Sequence, residues 1–361
     1  MERLHIAFFG PVNSGKSTLV NALCGQEVSL VSPVPGTTTD PVRKAVEIPG
    51  LGPCVLIDTP GFEDTGTLGA ERERRTRAVL DQADIAVLVL PASQTPSVPG
   101  FGTLVEQAGI PVVTYSREDT LEAFLQKLAA AVPAGKEAFL TGALVKAGDC
   151  VLLVMPQDSE APKGRLILPQ VQVLRELLDR GCTPLCCTPD SLEAALRRTT
   201  PDLVITDSQV FGLVNNTVPL QIPLTSFSIL LAAAKGNASV FLEGARAIET
   251  LQPGDRVLIA EACTHVPDTE DIGRVKIPAL LRKKASIELT VAAGNDFPED
   301  LSPYALIIHC GACVANRRLV QSRIKKALRA GVPMTNYGMA LAQLQGILER
   351  MAIPRTRPQS F

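Results

Sequence analysis

The sequence is short of several residue types, and each shortage removes a class of function. The 361-residue chain has no tryptophan, only 4% aromatic residues and three histidines. Its net charge is −2, so no basic surface indicates a nucleic-acid or anionic-membrane partner. The longest apolar stretch, residues 139–155, is interrupted by Lys146 and Asp149 and is not a membrane span. We therefore expect no nucleic acid and no membrane among the partners.

The remaining composition is typical of a layered α/β protein. Valine, leucine, isoleucine and alanine abound, and the length predicts two or three domains. Nine cysteines without a secretory signal indicate a reducing compartment, so we expect a cytoplasmic protein. The apolar start leads straight into a phosphate-binding pattern, which favours a strand over a signal peptide. We find no internal repeat and no low-complexity tract.

A phosphate-binding loop follows the first predicted strand. Residues 10–17 match the pattern GxxxxGKS/T, between a strand at 6–9 and a helix at 16–23. Backbone N–H groups and the helix dipole would bind the phosphates there. We predict that Lys16 neutralises the β and γ phosphates and that Ser17 holds Mg²⁺. The candidate nucleotide-binding residues of the loop are Gly10, Asn13, Ser14, Gly15, Lys16, Ser17 and Thr18.

Two further segments extend this pattern. Asp58 ends an apolar run and begins the sequence Asp-Thr-Pro-Gly, and residues 35–40 lie between it and the loop. Here the chain resembles translation-factor-class GTPases. By that resemblance Thr38 is the Mg²⁺-sensing threonine, and Gly61 offers its N–H to the γ-phosphate. Asn13 is similar to an asparagine that helps bind an activating K⁺ in some GTPases of tRNA modification and ribosome assembly; a plain turn residue is the alternative.

The base-recognition segment departs from the guanine-binding pattern. Guanine-binding GTPases carry Asn-Lys-x-Asp after the next buried strand, here residues 110–114, where this chain has Ser-Arg-Glu-Asp at 116–119. In one interpretation this is a degenerate version, with Asp119 binding the guanine N–H groups. In the other, Ser116 belongs to the later Ser-Ala base loop and the Asn-Lys-x-Asp segment is deleted. Both predict that one strand–helix unit is missing, and GTP as the ligand rests on resemblance.

Residues 138–223 alternate strand and helix signals but contain no catalytic grouping. Cys182, Cys186 and Cys187 lie in or beside a short apolar strand, where neighbouring side chains face opposite sides. We interpret them as buried structural thiols and not as a second metal site.

Two of the three histidines lie next to cysteines. The first group is Cys263 with His265, and the second is His309 with Cys310 and Cys313. Histidine is so scarce here that its double occurrence beside thiols indicates one split metal site. Five unrelated core residues are the alternative.

The position of both groups supports a shared site. Each follows a short apolar run, residues 256–260 and 305–308, that is typical of a buried parallel strand. Because sites in open α/β sheets form beyond the carboxyl ends of strands, the groups could meet there. Zinc would take four Cys/His ligands in a closed tetrahedron, whereas an iron–sulfur cluster with three thiolates leaves one iron open. Histidines directly beside the thiols could support the ligands without binding the metal, or they could provide an exchangeable fourth ligand.

The combination of these motifs resembles the [FeFe]-hydrogenase maturation GTPase family, HydF. Residues 158–165, 271–278 and 335–338 agree with it as well, so the resemblance covers nearly the whole chain. It implies an α/β protein of three domains. These are a P-loop GTPase domain with a parallel sheet (1–133), an α/β dimerisation domain (138–223) and an α/β iron–sulfur cluster domain (226–361).

The resemblance also implies a site and partners. Cys263, Cys310 and Cys313 would hold a [4Fe-4S] cluster with a labile fourth position, for which His265 and His309 are candidates. The family acts as a homodimeric scaffold and carrier with slow, regulatory GTP hydrolysis. Radical-SAM maturases assemble a di-iron precursor on it, which passes to apo-[FeFe]-hydrogenase. One departure is Val266, where the family often has another histidine.

Two other functions compete with this one. An RNA-directed GTPase of tRNA modification or ribosome assembly, with a structural zinc, would explain the loop and thiols, but the neutral charge argues against it. A decayed GTPase domain that only binds would explain the degenerate base motif, but the intact loop and switch segments argue against that.

Overall fold

The computed structural model describes residues 3–25, 41–60, 69–91, 101–133, 139–157, 164–262, 271–294, 296–313 and 315–354. The chain divides into two compact units, residues 1–137 and 138–361. No helix of the described ranges is long and apolar enough to cross a membrane.

The first unit is a sheet with helices on both faces. Its elements are β1 (Leu4–Phe9), α1 (Lys16–Cys24), β2 (Val42–Ile48), β3 (Gly52–Asp58), α2 (Gly69–Leu80), β4 (Ile85–Leu90), α3 (Phe101–Ala108), β5 (Val112–Ser116) and α4 (Leu121–Ala131). The strand order is β2-β3-β1-β4-β5, with β2 antiparallel to β3 and the other pairs parallel. Every residue of β4 is buried because helices cover both faces of the sheet.

The position of α4 shows how this sheet ends. Phe124 and Leu128 of α4 lie in the same core cluster as Leu19 of α1, whereas Leu80 of α2 and Val105 of α3 lie in the other. Right-handed crossovers that extend the sheet from β3 to β4 and β5 place their helices on one face. A helix leading to a parallel strand beyond β5 would lie on that face too. Since α4 lies opposite, and the described residues form no sixth strand here, this agrees with a missing strand–helix unit.

The second unit contains two parallel sheets. The first holds β6 (Cys150–Val154), α5 (Leu168–Asp179), β7 (Thr183–Cys187), α6 (Leu192–Arg198), β8 (Leu203–Thr206), α7 (Phe211–Thr217), β9 (Leu224–Ser226) and α8 (Phe227–Lys235). The second holds α9 (Ala238–Arg246), β10 (Arg256–Glu261), α10 (Ile277–Lys284), β11 (Glu288–Ala293), β12 (Leu306–His309), α11 (Arg317–Arg329), β13 (Met334–Asn336) and α12 (Tyr337–Leu344). The strand orders are β7-β6-β8-β9 and β11-β10-β12-β13.

These two sheets are structural copies of one another, so the expectation of no internal repeat was wrong. Their strand orders are the same when counted from the first strand of each. Their registers coincide as well: Val154 aligns with Thr206 in one sheet, and Ala260 with His309 in the other.

Short sequence marks accompany the repeat. Gly-Asp precedes the first strand of each copy, at residues 148–149 and 254–255. Gly-Arg-x-x-x-Pro leads into the helix that follows the first strand of each, at 164–169 and 273–278. In α5 this proline is the second helical residue, where its missing N–H costs nothing, and in α10 it follows the π-helical turn Ile272–Lys276.

One hydrophobic core serves both copies. Leu152 and Phe211 of the first belong to the same buried cluster as Ile259 and Ile307 of the second. The expected division at 223–226 also differs from the strand pairing. It falls on β9, which pairs in parallel with β8, and Ser226 caps α8 by accepting the Ile229 N–H, so both elements belong to the first copy.

Candidate functional site

Three residues of the phosphate loop, Gly10, Asn13 and Gly15, have positive φ angles. Gly10 has φ 151°, and a Cβ there would lie 2.2 Å from the Val89 carbonyl oxygen. Gly15, with φ 96°, caps the N-terminus of α1. Asn13 adopts a left-handed conformation with φ 63°, which asparagine tolerates better than most residues. Backbone strain of this kind is typical of a functional loop.

Lys16 lies buried inside the loop. Its Nζ donates to the carbonyl oxygens of Gly10, at 3.0 Å, and Pro11, at 2.7 Å. Burial lowers the pKa of Lys16 to about 8, although the nearby Asp58 carboxylate raises it in part. The amine is thus held where phosphates would surround it, by contacts that a ligand can replace.

Ser17, the predicted Mg²⁺ ligand, lies beside Asp58 at the end of β3. The Ser17 Oγ donates to Asp58 Oδ2 at 2.6 Å. Asp58 Oδ1 is buried and has no hydrogen-bond partner among the described residues. Burial raises the pKa of Asp58, while the Ser17 hydroxyl and Lys16 lower it in part. A hydroxyl and an unsatisfied carboxylate oxygen fit a hard cation such as Mg²⁺.

The remaining predicted residues of the nucleotide site are Thr38, Gly61, Thr18, Ser14 and Asn13. Thr38 and Gly61 lie outside the described residues, and their switch roles stay predictions. Thr18 is exposed on α1, and the Ser14 Oγ is buried without a partner among the described atoms. A role of Asn13 in binding K⁺ also stays a prediction.

Two side chains of the base-recognition segment, Arg117 and Asp119, form hydrogen bonds with the protein itself. Arg117 reaches the phosphate loop, where its Nη2 donates to the Asn13 carbonyl oxygen at 3.5 Å. The Asp119 carboxylate accepts the Ser116 N–H at 2.8 Å and the Lys127 ammonium at 2.7 Å. These bonds, the Lys127 bond first, lower the pKa of Asp119. Asp119 therefore stabilises the turn into α4 instead of presenting free acceptors to a base.

The second half of the predicted metal site lies at the carboxyl edge of the second copy's sheet. The Cys310 Sγ accepts the N–H groups of Ala262, at 3.1 Å, and Ala312, at 3.4 Å. Ala312 has φ 50°, so the loop of residues 310–313, the thiol loop, turns tightly around this sulfur. Amide N–H groups directed at a sulfur stabilise a thiolate ligand.

The first half of that site is not described. Cys263 and His265 lie outside the described residues, and within the described ranges no group of three His, Cys, Asp or Glu residues could hold a metal ion. Glu261 ends β10 two positions before Cys263, at the edge that carries Cys310. Cys310 and Cys313 lie together in the thiol loop at this edge, and a third thiolate from Cys263 stays a prediction.

His309 is fully buried, and both ring nitrogens have partners. Arg323 Nη1 lies 2.9 Å from Nε2, and the Cys310 carbonyl oxygen lies 2.8 Å from Nδ1. Arginine can only donate, so we assign an Nε2 acceptor and an Nδ1–H donor. Burial, and then the Arg323 charge, lower the pKa of His309 to about 3, so the ring is neutral. These contacts favour a role for His309 in holding the Cys310 backbone over a role as the fourth metal ligand.

Several charged residues that the sequence did not single out surround this edge. Arg274 Nη2 donates to the buried Glu261 carboxylate at 2.7 Å. Lys235 is buried and donates to the carbonyl oxygens of Ala312 and Cys313 in the thiol loop, at 2.9 and 3.2 Å. Their signal in the sequence is weak, since an isolated Lys or Arg usually lies in solvent.

The burial of Lys16 generates a first prediction. Lys16→Ala removes the only charge inside the loop and should weaken GTP binding by about 3 kcal/mol, roughly 100-fold. In the wild type, phosphates should raise the lowered pKa of Lys16, so binding at pH 8 should take up a proton. Titration calorimetry with Mg²⁺, in two buffers of different ionisation enthalpy, measures both. The exposed Lys146 provides a control, Lys146→Ala; unchanged affinity in Lys16→Ala would contradict the assignment.

The bonds of Asp119 generate a second prediction. Because its carboxylate is engaged by Ser116 and Lys127, we expect weak discrimination between GTP and ATP, below the roughly 10⁴-fold of a site with dedicated polar partners. Asp119→Asn should change the ratio of the two affinities by less than about tenfold. Competition binding with both nucleotides measures it. Strong discrimination that disappears in the variant would show that Asp119 binds guanine.

Comparison with known proteins agrees with the domain organisation. The model described as the hydrogen maturase F dimerization domain matches residues 140–236, and the hydrogen maturase F tetramerization domain matches 239–354. The boundary thus lies after α8. Residues 5–117 match the model described as a 50S ribosome-binding GTPase.

Curated tRNA modification GTPases match about a quarter of the chain. The tRNA modification GTPase MnmE of Myxococcus xanthus (strain DK1622) is 50% identical over 91 residues, 25% of this chain and 20% of that protein. MnmE of Xanthomonas oryzae pv. oryzae (strain MAFF 311018) is 46% identical over 91 residues, with the same coverage. The chain thus spans about a fifth of these relatives.

A solved structure of Aquifex aeolicus Era bound to GDP and aluminium fluoride aligns at 17% identity, covering 83% of this chain and 97% of that one, with a TM-score of 0.29. That score is too low to carry a structural argument. The two hydrogen maturase F models together cover more than half of the chain, behind a GTPase domain with an intact phosphate loop. The chain therefore belongs to the HydF family of hydrogenase-maturation GTPases.

Proposed function

We propose that this protein is a scaffold and carrier for a metallocluster, gated by slow GTP hydrolysis. It would hold a [4Fe-4S] cluster through Cys263, Cys310 and Cys313, and deliver a di-iron precursor made by radical-SAM maturases to apo-[FeFe]-hydrogenase. The observation that supports this best is the Cys310 sulfur, which accepts two backbone N–H groups at the carboxyl edge of the sheet. A thiol placed in this way is preorganised as a ligand.

The residues around the thiols would each have a defined task. The amides of Ala262 and Ala312 would stabilise negative charge on Cys310, and Lys235 would fix the carbonyl groups of the thiol loop. His309 would hold the backbone of Cys310 in place from behind. When bound, the cluster would supply an iron with an exchangeable coordination position. That position would take a ligand other than His309, because both ring nitrogens of His309 already have partners.

The nucleotide domain would supply the gate. Lys16 and the Ser17–Asp58 pair would bind the triphosphate and Mg²⁺, and K⁺ at Asn13 would be an activator. Slow turnover is consistent with the degenerate base segment. An RNA-directed GTPase is the weaker alternative, because the similarity to tRNA modification GTPases covers only 25% of the chain.

Replacing the thiols one at a time tests the cluster proposal. Cys263→Ala, Cys310→Ala and Cys313→Ala should each prevent or cripple assembly, since each thiolate would bind a different iron. His309→Ala should still form the cluster with an altered spectrum, because its ring faces Arg323 and the Cys310 carbonyl. Anaerobic iron and sulfide analysis with electron paramagnetic resonance of the reduced proteins measures this.

Cys150→Ala is the matched control, a partly exposed thiol on β6 that should leave the iron content unchanged. If the bound metal is zinc, or if His309→Ala loses metal as completely as Cys310→Ala, the proposal is wrong.

We further propose that the first copy forms the homodimer. The family model names it a dimerization domain, and its edge strand β7 exposes Leu185. Cys186, expected to be a buried thiol, is also exposed on that strand. On the neighbouring helix α5, Val171 and Leu178 are 46% and 52% exposed. Pairing of β7 edges or burial of this apolar helix face would cover them.

Leu185→Lys should therefore shift the assembly toward smaller species, since it places a charge on the pairing edge. Light scattering of the full chain measures the mass; an isolated segment is unsuitable, because the two copies share one core. Leu220→Lys is the control, an 82% exposed leucine outside β7 and α5. An unchanged mass for Leu185→Lys would move the interface elsewhere.

A further inference from the structure

The register of the second copy's sheet places Tyr337 beside Cys310. His309 of β12 aligns with Asn336 of β13, and Cys310 and Tyr337 are the residues that directly follow these two strand ends at the carboxyl edge. Neighbouring strands lie about 4.8 Å apart. Tyr337 thus begins α12 near the predicted ligand Cys310. It belongs to residues 335–338, one of the segments that resemble the family.

The Tyr337 hydroxyl is buried and lacks a hydrogen-bond partner among the described residues. Its oxygen is packed against Gly273, where a Cβ would lie 1.9 Å away, so glycine is needed for the ring to reach this place. Buried tyrosine hydroxyls usually find a partner, and an unsatisfied one in a native structure suggests a missing ligand. The space holds a hydroxyl for which the described part of the chain provides no acceptor.

The surroundings keep this hydroxyl protonated. Burial raises the pKa of Tyr337 well above its ordinary value, and the Cys310 thiol, Glu261 and Asp271 raise it further, while Arg274 opposes them. The group is therefore a hydrogen-bond donor in an environment with several negative groups. A donor without an acceptor suits an electron-rich ligand.

The internal repeat provides a natural comparison. The register of the first copy puts Met155, Asp207 and Phe227 where the second has Glu261, Cys310 and Tyr337. The first copy, which has Asp207 at the position of Cys310, has phenylalanine at the position of Tyr337. The hydroxyl is what Tyr337 adds to that shared position.

We propose that the Tyr337 hydroxyl donates a hydrogen bond into the metal site at Cys310. The acceptor is the cluster's sulfur or an anionic ligand at its exchangeable iron. This inference rests on the proposed function and names a residue that tunes the cluster without anchoring it. A hydrogen bond to sulfur or to such a ligand stabilises the reduced, more negative state, so it raises the reduction potential.

The experiment uses the full chain with its cluster reconstituted anaerobically. Tyr337→Phe, the residue of the first copy, should bind as much iron and sulfide as the wild type. Its reduction potential, measured by titration with electron paramagnetic resonance detection, should be more negative, and its spectrum with added cyanide should differ. Tyr304→Phe is the matched control, a tyrosine that precedes β12 at the amino end of the same sheet and packs under Arg256.

The outcomes separate the two proposals. An unchanged potential and spectrum in an iron-loaded Tyr337→Phe protein would overturn the hydrogen bond and leave the scaffold function intact. Loss of iron to the extent seen in Cys310→Ala would also overturn it, since Tyr337 would then anchor the site. A wild-type protein that binds no iron under the same conditions would refute the proposed function itself.

Discussion

The buried guanidinium of Arg323 holds together the edge on which the candidate metal site depends. It donates to the Glu261 carbonyl oxygen at the end of β10, to the Gly294 carbonyl oxygen after β11 and to the His309 ring in β12, at 3.2, 2.6 and 2.9 Å. One side chain thus joins the ends of three parallel strands. Arginine keeps its charge, and burial, followed by that charge, lowers the pKa of His309 so that its ring is neutral. The thiol loop begins directly after His309, at the edge that these bonds join.

A second buried cation links this edge to the neighbouring copy. Lys235 is the last residue of α8, which the family model assigns to the dimerization domain, yet it donates to three carbonyl groups in and just after the thiol loop. Carbonyl groups turned toward a cation leave the amides of the loop free to face sulfur. The domain that the family model names for dimerization therefore also contacts the loop that carries Cys310 and Cys313. The two copies also share one buried hydrophobic cluster.

The sequence could predict what depends on local patterns. The phosphate loop and the position of Cys310 after a buried strand follow from short-range rules on glycine, helix ends and apolar runs. The roles of Arg323 and Lys235 could not be predicted, because their partners are backbone groups far along the chain. The exposed Cys186 was misjudged, since an apolar run does not tell an edge strand from a central one.

The internal repeat was not recognised in the sequence for a related reason. The copies share only short matches, such as Gly-Asp-x-Val-Leu at 148–152 and 254–258, and aliphatic runs of this kind are common to any parallel strand buried on both faces. The repeat therefore becomes plain only when the strand registers are compared. What distinguishes the copies lies just beyond the strand ends, where Asp207 stands in one and Cys310 in the other. In this chain, then, the same scaffold carries Asp207 at one edge and, at the other, the Cys310 thiol with two backbone N–H groups directed at it, so the two edges differ in chemistry through a few side chains.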